Sequence, residues 1–373
     1  MQLETIKTPS LIIDFERMKR NAERIASRAK ELNVNLRPHV KTHRCLEIAK
    51  IQTEKTFGGI MVSTLSEAKF FSANGFSDIT YGVPVERGKF DEAIAIAKTI
   101  EKFSVLTDDA ETVEALNKKA KSENVKLNVF VKIDVGYHRC GVEPHTKEAF
   151  EIPKQIADSS NLNFAGILTH AGHSYHADTP EKLLSVAKTE RDKMRNLAEE
   201  LRGKGLNVSC VSIGSTPTFS AIDSLEGITE FRAGNYIFFD AFQATLGSCK
   251  FEDCALTVLA AVVHRDSTRQ KIIVDAGAVA LSKDRGAVEF DVSCGYGRVY
   301  DLDGNDLDLR VESLSQEHGE ISVLDEKIFN DLKVGSRVRI LANHSCLTAL
   351  QHSHYHILDG GKIVDKWEIN RGW

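Results

Sequence analysis

The chain has 373 residues, 42% of them hydrophobic and 27% charged, a globular balance that excludes disordered, collagenous and low-complexity classes. Its net charge of −5 and pI near 6.2 leave no basic footprint for nucleic acid, and no apolar run reaches the roughly 18 residues of a membrane span. The N-terminus lacks a signal-peptide pattern, and seven scattered cysteines read as reduced cytoplasmic thiols rather than a disulfide framework.

In chain order, short Val/Ile/Phe-rich runs alternate with amphipathic stretches over the first two thirds. The strands are expected at Val34–Pro38, Gly58–Val62, Asp78–Gly82, Phe103–Thr107, Leu127–Asp134, Asn163–His170, Asn207–Ile213 and Thr229–Arg232. Between them, Asp108–Glu123 and Pro180–Gly203 read as helices. The second opens Thr179-Pro180-Glu181, a cap, a first-turn proline and an early acid, and stops at Gly203. Strands followed by helices or loops in this number predict a (β/α)8 barrel over residues 10–240. A doubly wound sheet competes, but no GxGxxG follows an early strand.

After Asp240 the texture becomes β-like, with segments at Ala255–His264, Lys271–Asp275, Glu289–Val292, Glu320–Leu324, Arg337–Leu341 and Gln351–Leu358. Turn signals at Asp303-Gly304-Asn305 and Asp359-Gly360-Gly361 separate some of them. Residues 241–373 are therefore expected to form a mostly antiparallel β-domain. Residues 1–9 are an open addition to it, and Leu11–Asp14 an extra strand of either part.

A barrel places its chemistry after each strand. After the first comes Pro38-His39-Val40-Lys41-Thr42-His43, where a lysine between histidines suits a Schiff-base amine. After the fifth comes Asp134-Val135-Gly136-Tyr137-His138-Arg139, a glycine turn bearing an arginine. After the sixth, His170, His173, Tyr175 and His176 form a polar cluster whose spacing matches no standard zinc pattern. After the seventh and eighth, Gly214-Ser215-Thr216-Pro217-Thr218 and Ala233-Gly234-Asn235 offer backbone N–H groups to an anion, where barrels often hold phosphate. Late in the chain, His344 and Cys346 stand two apart, on one face if extended, and both are zinc-ligand types. His352, His354 and His356 share a face of a possible strand, read first as a polar sheet face or an interface and second as metal ligands.

A Schiff-base lysine with a phosphate cradle at a barrel mouth suggests pyridoxal phosphate (PLP). On Thr8-Pro9-Ser10-Leu11, Pro38-His39-Val40-Lys41-Thr42-His43, Lys132-Ile133-Asp134-Val135-Gly136, Gly214-Ser215-Thr216-Pro217-Thr218, Arg232-Ala233-Gly234-Asn235 and Asn343-His344-Ser345-Cys346, in that order, the chain resembles the D-serine dehydratase / D-threonine aldolase family of alanine-racemase-like, fold-type III PLP enzymes. The resemblance implies that Lys41 holds PLP, and that Tyr175, Thr216, Gly234 and Asn235 bind the cofactor, mainly its phosphate. It implies that Arg139 lies near the cofactor ring and that His344 and Cys346 bind zinc. His170 and Ser215 complete the expected cofactor set, and His39 and His43 stand beside Lys41 as catalytic candidates.

The aldolases more typically show His-x-Asp at the metal pair, so Cys346 favours the dehydratase. The vertebrate-like dehydratases carry a tyrosine where this chain has Leu168, so the pocket is not identical to theirs. The implied activity is PLP- and zinc-dependent loss of water from a D-3-hydroxy amino acid (D-serine, D-threonine or 3-hydroxy-D-aspartate), giving a 2-oxo acid and ammonia. The alternatives are retro-aldol cleavage to glycine and an aldehyde, with His39, His43 or His173 as base, a non-catalytic PLP-binding protein, or a racemase. Fold-level relatives imply a homodimer.

Overall fold

The computed structural model of the protein describes residues 2–372. It divides into two compact units, residues 23–234 with Gly372, and residues 2–22 with 235–371. The first strand, β1 (Ser10–Asp14), belongs to the second unit.

The first unit is built on β2 (Asn35–Leu36), β3 (Ile60–Val62), β4 (Asp78–Pro84), β5 (Lys102–Thr107), β6 (Leu127–Ile133), β7 (Leu162–Thr169), β8 (Cys210–Ile213) and β9 (Glu230–Phe231). They form one parallel sheet in the order β2-β9-β8-β7-β6-β5-β4-β3. A parallel bridge between His39 and Met61 joins its two ends, with the Met61 N–H donating to the Pro38 carbonyl at 2.9 Å. The sheet thus curls into a TIM-like barrel, as the alternation predicts. Six of the seven β6 residues are buried, the continuous burial of a strand covered on both faces. Between β7 and β8 lies only backbone room: a Cβ on Gly166, whose φ is +139°, would stand 2.0 Å from the Cys210 carbonyl oxygen. Leu168 is buried with Met61, Leu106 and Phe130.

All eight predicted strands are present, most of them shorter than expected. The helix Pro180–Gly203 matches the expected bounds. The Thr179 hydroxyl caps it by accepting the Lys182 N–H at 3.2 Å. The glycine that turns the chain is not Gly203, the last helical residue, but the one two residues on. Gly205, at φ +86°, turns the chain. There the Leu206 N–H reaches back to the Leu201 carbonyl at 3.0 Å, closing a Schellman motif. The helix buries Leu183, Ala187, Glu190, Met194, Leu197, Ala198 and Leu201, a stripe at helical spacing.

The second unit adds β10 (Leu256–Asp266), β11 (Lys271–Val274), β12 (Gly297–Tyr300), β13 (Asp306–Arg310), β14 (Ser313–Leu314), β15 (Gly319–Ser322), β16 (Arg337–Ala342), β17 (His354–Asp359) and β18 (Lys362–Glu368). The sheet order is β13-β12-β16-β10-β1-β17-β18, with β11, β15 and β14 branching from β10. Among the described residues of this unit only the β1–β17 pairing is parallel. The expectation of a mostly antiparallel β-rich second part is met, and Leu11–Asp14 joins its sheet.

One reading is corrected, and three strands were not foreseen. Glu289–Val292 is not a strand: Ala287–Glu289 is a single 3₁₀ turn, and the Asp291 carboxylate then accepts the Ser293 N–H at 2.9 Å. The true strands β12, β13 and β18 lie on either side of the two recognised turn signals, where alternating charges mask half-exposed strands.

Candidate active site

In the barrel unit, Arg37 to Ala233 build the floor of the site. Backbone bonds run from the Arg37 N–H to Phe231 and from the His39 N–H to Ala233, both at 2.9 Å. They carry the β2–β9 pairing on toward the lysine. His39 then caps a 3₁₀ turn, Val40–Thr42, whose second residue is Lys41. Lys41 is exposed, and among the described residues its amine makes no hydrogen bond or ion pair. An amine left free at the C-terminal end of a barrel strand is what a carbonyl cofactor requires.

The histidines beside it differ. His39 is bonded to the Lys41 N–H and to the Met61 backbone. Burial, then the Lys41 charge, holds it well below the usual imidazole range. His43 is wholly buried. Its Nδ1 accepts the Cys45 N–H at 3.0 Å and its Nε2 faces the Gln52 amide oxygen at 2.9 Å. Burial lowers it to about 4. Both ring nitrogens are committed to the fold, so the reading of His43 as a catalytic base gives way to a structural one.

The loops after β6, β7 and β8 meet each other. Arg139 lies 5.0 Å over the Tyr137 ring and is exposed. Tyr137 sits 6.2 Å from the His170 ring and 6.4 Å from the His173 ring. His170 Nδ1 lies 2.8 Å from the Gly214 carbonyl. The imidazole is held neutral, first by burial and then by the Lys41 charge. Tyr175 is half-buried on the 3₁₀ turn Gly172–His176. Ser215 is a helix cap: its hydroxyl accepts the Thr218 N–H at 3.3 Å and meets the Ser174 hydroxyl at 3.0 Å. Its side chain is thereby committed.

Thr216 begins the helix Thr216–Ala221, so its N–H has no acceptor inside the helix. Its hydroxyl is buried with no partner among the described residues. Gly234 passes so close to His39 that a Cβ would stand 2.5 Å from the His39 carbonyl oxygen. The free Lys41 amine, the unsatisfied Thr216 hydroxyl and this close backbone passage fit an aldehyde bearing a phosphate.

In the β unit, Asn235 and the late motif converge on Asp240. Its carboxylate accepts Asn235 Nδ2 at 2.6 Å, the Ser345 N–H at 2.9 Å and the Ser345 hydroxyl at 3.1 Å. Asn235 Nδ2 also lies 3.8 Å from Cys346 Sγ. His344 is not in a strand. It is the extended residue before the helix Ser345–Ala349, and Cys346 is in that helix's first turn. The two side chains are nonetheless in hydrogen-bond contact. Asp284 holds His344 Nδ1 at 2.6 Å. Burial pulls the imidazole down, but Asp284, Cys346 and Asp240 outweigh it and hold it well above its usual range. One nitrogen and one sulfur donor, with a carboxylate orienting the imidazole, suit half of an open zinc shell. Among the described residues no group of three such ligands occurs. His354 and His356 share a face of β17 with ring centroids 5.0 Å apart, while His352 precedes the strand and bonds the Ala280 carbonyl at 3.0 Å.

Sequence reasoning missed Asp240, Asp284, Glu190, Arg232 and Lys132. The last two are buried in the barrel, lowered by burial to about 10 and about 8. Arg232 and Lys132 stand inside segments whose order was recognised. Glu190 had a visible signal, an acid in an apolar helical stripe.

A parallel barrel with a free lysine at its mouth, joined in sequence to a β-rich second unit, defines an alanine-racemase-like PLP-binding protein. The description "alanine racemase, N-terminal domain" matches residues 13–241 and "putative serine dehydratase domain" matches 255–358. The chain belongs to the D-serine dehydratase / D-threonine aldolase family of that class. It is 37% identical to the D-threo-3-hydroxyaspartate dehydratase of Delftia sp., over 100% of this chain and 99% of that one. It is 36% identical to the D-serine dehydratase of Dictyostelium discoideum, over 100% and 98%. A solved structure of a D-threo-3-hydroxyaspartate dehydratase, a cysteine-to-alanine mutant in the metal-free form, superposes with a TM-score of 0.97 at 36% identity over 100% of both chains. Relatives named as aldolases also match, at 28–29% identity.

Proposed function

We propose that this protein is a PLP- and zinc-dependent lyase that removes water from a D-3-hydroxy amino acid, giving a 2-oxo acid and ammonia. The observation that carries the reading is the full-length match to two dehydratases at 36–37% identity. Bound PLP would supply an electron sink for the electrons left at Cα. Lys41, Thr216, Tyr175, Gly234 and Asn235 would hold it, with Arg139 and His170 beside it. The Lys41 amine, once freed, takes the Cα proton. His39, turned to backbone partners, fixes the Lys41 loop. A divalent metal would supply a Lewis acid for the departing hydroxyl, held by His344 and Cys346 and oriented by Asp284. A solved D-threo-3-hydroxyaspartate dehydratase described as a cysteine-to-alanine mutant in a metal-free form, similar over the whole chain, supports a cysteine in that role.

Two further parts of the reading rest on less. Seven free cysteines support a reducing, cytoplasmic setting. Exposed Leu347, beside Cys346, and Val279, on a neighbouring helix, are apolar positions that a second copy would cover in a homodimer. The deciding experiment incubates PLP- and zinc-loaded protein with D-threo-3-hydroxyaspartate, D-serine and D-threonine. Ammonia with a 2-oxo acid is expected. Glycine with an aldehyde would replace the dehydratase reading by the aldolase one. Neither product from any of the three would overturn both.

A further inference from the structure

The helix Pro180–Gly203 buries six apolar residues and one carboxylate, Glu190, which is 1% exposed. A carboxylate in an apolar stripe is costly to bury unless something bonds it. Here one oxygen, Oε1, accepts two backbone N–H groups, those of Ala171 and Gly214, each at 3.1 Å. Ala171 follows His170 at the end of β7. Gly214 follows β8 and precedes Ser215 and Thr216.

The two clamped residues are also joined to each other. The Gly214 carbonyl lies 2.8 Å from His170 Nδ1. A carbonyl only accepts, so Nδ1 carries the proton and Nε2 keeps its lone pair in the neutral ring. Glu190 therefore fixes His170 twice: through its backbone at Ala171, and through its ring by way of Gly214. The same contact sets the loop on which Thr216 is presented. Gly214 adopts φ +130°, and a Cβ there would stand 2.5 Å from the Arg232 carbonyl oxygen. The loop has little freedom once its N–H is held.

We propose that Glu190 is a positioning residue that clamps the loops after β7 and β8 together, setting the tautomer of His170 and the place of Thr216 for the cofactor. This rests on the PLP reading above. Glu190 touches no reacting atom. Its effect passes through two backbone amides.

The test uses full-length protein, Glu190→Gln and Glu190→Leu, with three readouts. These are PLP affinity by absorbance titration, hydrogen exchange at the Ala171 and Gly214 amides, and the His170 tautomer by nitrogen NMR. Glutamine keeps an acceptor but loses the charge that strengthens it. In Glu190→Gln we expect exchange at both amides to quicken together by about tenfold and PLP affinity to fall three- to tenfold. In Glu190→Leu, PLP affinity falls at least thirtyfold and His170 loses its single tautomer. If Glu190→Leu does not fold, the Gln variant decides. Wild-type exchange at both amides with wild-type PLP affinity overturns the clamp, as does quickening at one amide alone. Wild-type protein that binds no PLP overturns the cofactor reading instead, and the exchange and tautomer measurements still test the clamp.

Discussion

At the scale of the residue, the site depends on which side chains are left free and which are committed. Lys41 is free, whereas His43, two residues on, has both ring nitrogens bonded. Lys41→Ala is expected to bind PLP without the absorbance band of a lysine Schiff base, and an unchanged band would refute the assignment. Asp284 is the second such test. A carboxylate on the outer nitrogen of a metal-binding histidine fixes the ring, and its loss costs about 10- to 100-fold in metal affinity. Asp284→Asn should therefore weaken zinc binding by that factor, while His344→Ala abolishes it. Equal zinc content in all three proteins by elemental analysis would remove the metal from this pair. Residue type and position singled out Lys41, His344 and Cys346 in the sequence, and the family resemblance supplied their expected roles. Asp284 and Asp240 were not, because they reach the motif through space from segments without a pattern of their own.

At the scale of the element, the barrel strands were readable because parallel strands buried on both faces are short, apolar and punctuated by turns. The strands of the second unit were read less well. Asp306–Arg310 and Lys362–Glu368 each leave a charged face in water, so their apolar content is low and only the adjacent turn betrays them. One cap was legible chemically, Thr179, whereas Ser215, expected to bind the cofactor, also proves to cap a helix; each accepts an N–H of the first helical turn. Thr179→Ala should lower stability by about 1 kcal/mol, the usual worth of such a cap, and leave PLP affinity unchanged. Gly166→Ala should be far worse, since its Cβ would overlap the β8 backbone in a conformation that alanine avoids. A drop of several degrees in melting temperature, or insolubility, is expected. A melting temperature within one degree of wild type would show that β7 and β8 can part.

At the scale of the whole molecule, buried ionisable groups tie folding to pH. His43 has a value of about 4 in the fold, set first by burial, against about 6.5 when unfolded. Between those values the unfolded chain takes up a proton that the folded one refuses. The stability due to neutral His43 is thus fully present above pH 6.5 and is lost as pH falls toward 4. The gap is worth roughly 3 kcal/mol. Glu67 and Glu190 act in the opposite sense. Burial raises both, so what their neutral forms contribute is present at low pH and is lost as pH rises through their folded values. His39 and His170 add to the acid-side loss, since both are held well below their usual range, first by burial. The comparison that isolates His43 is therefore one of slopes rather than of stabilities. In urea unfolding of cofactor-free protein, the free energy of His43→Gln should fall less steeply than wild type between pH 6.5 and 4. The difference accumulates to roughly 3 kcal/mol across that window. Parallel curves would mean that His43 takes up its proton within the fold, and that its burial does not hold it neutral.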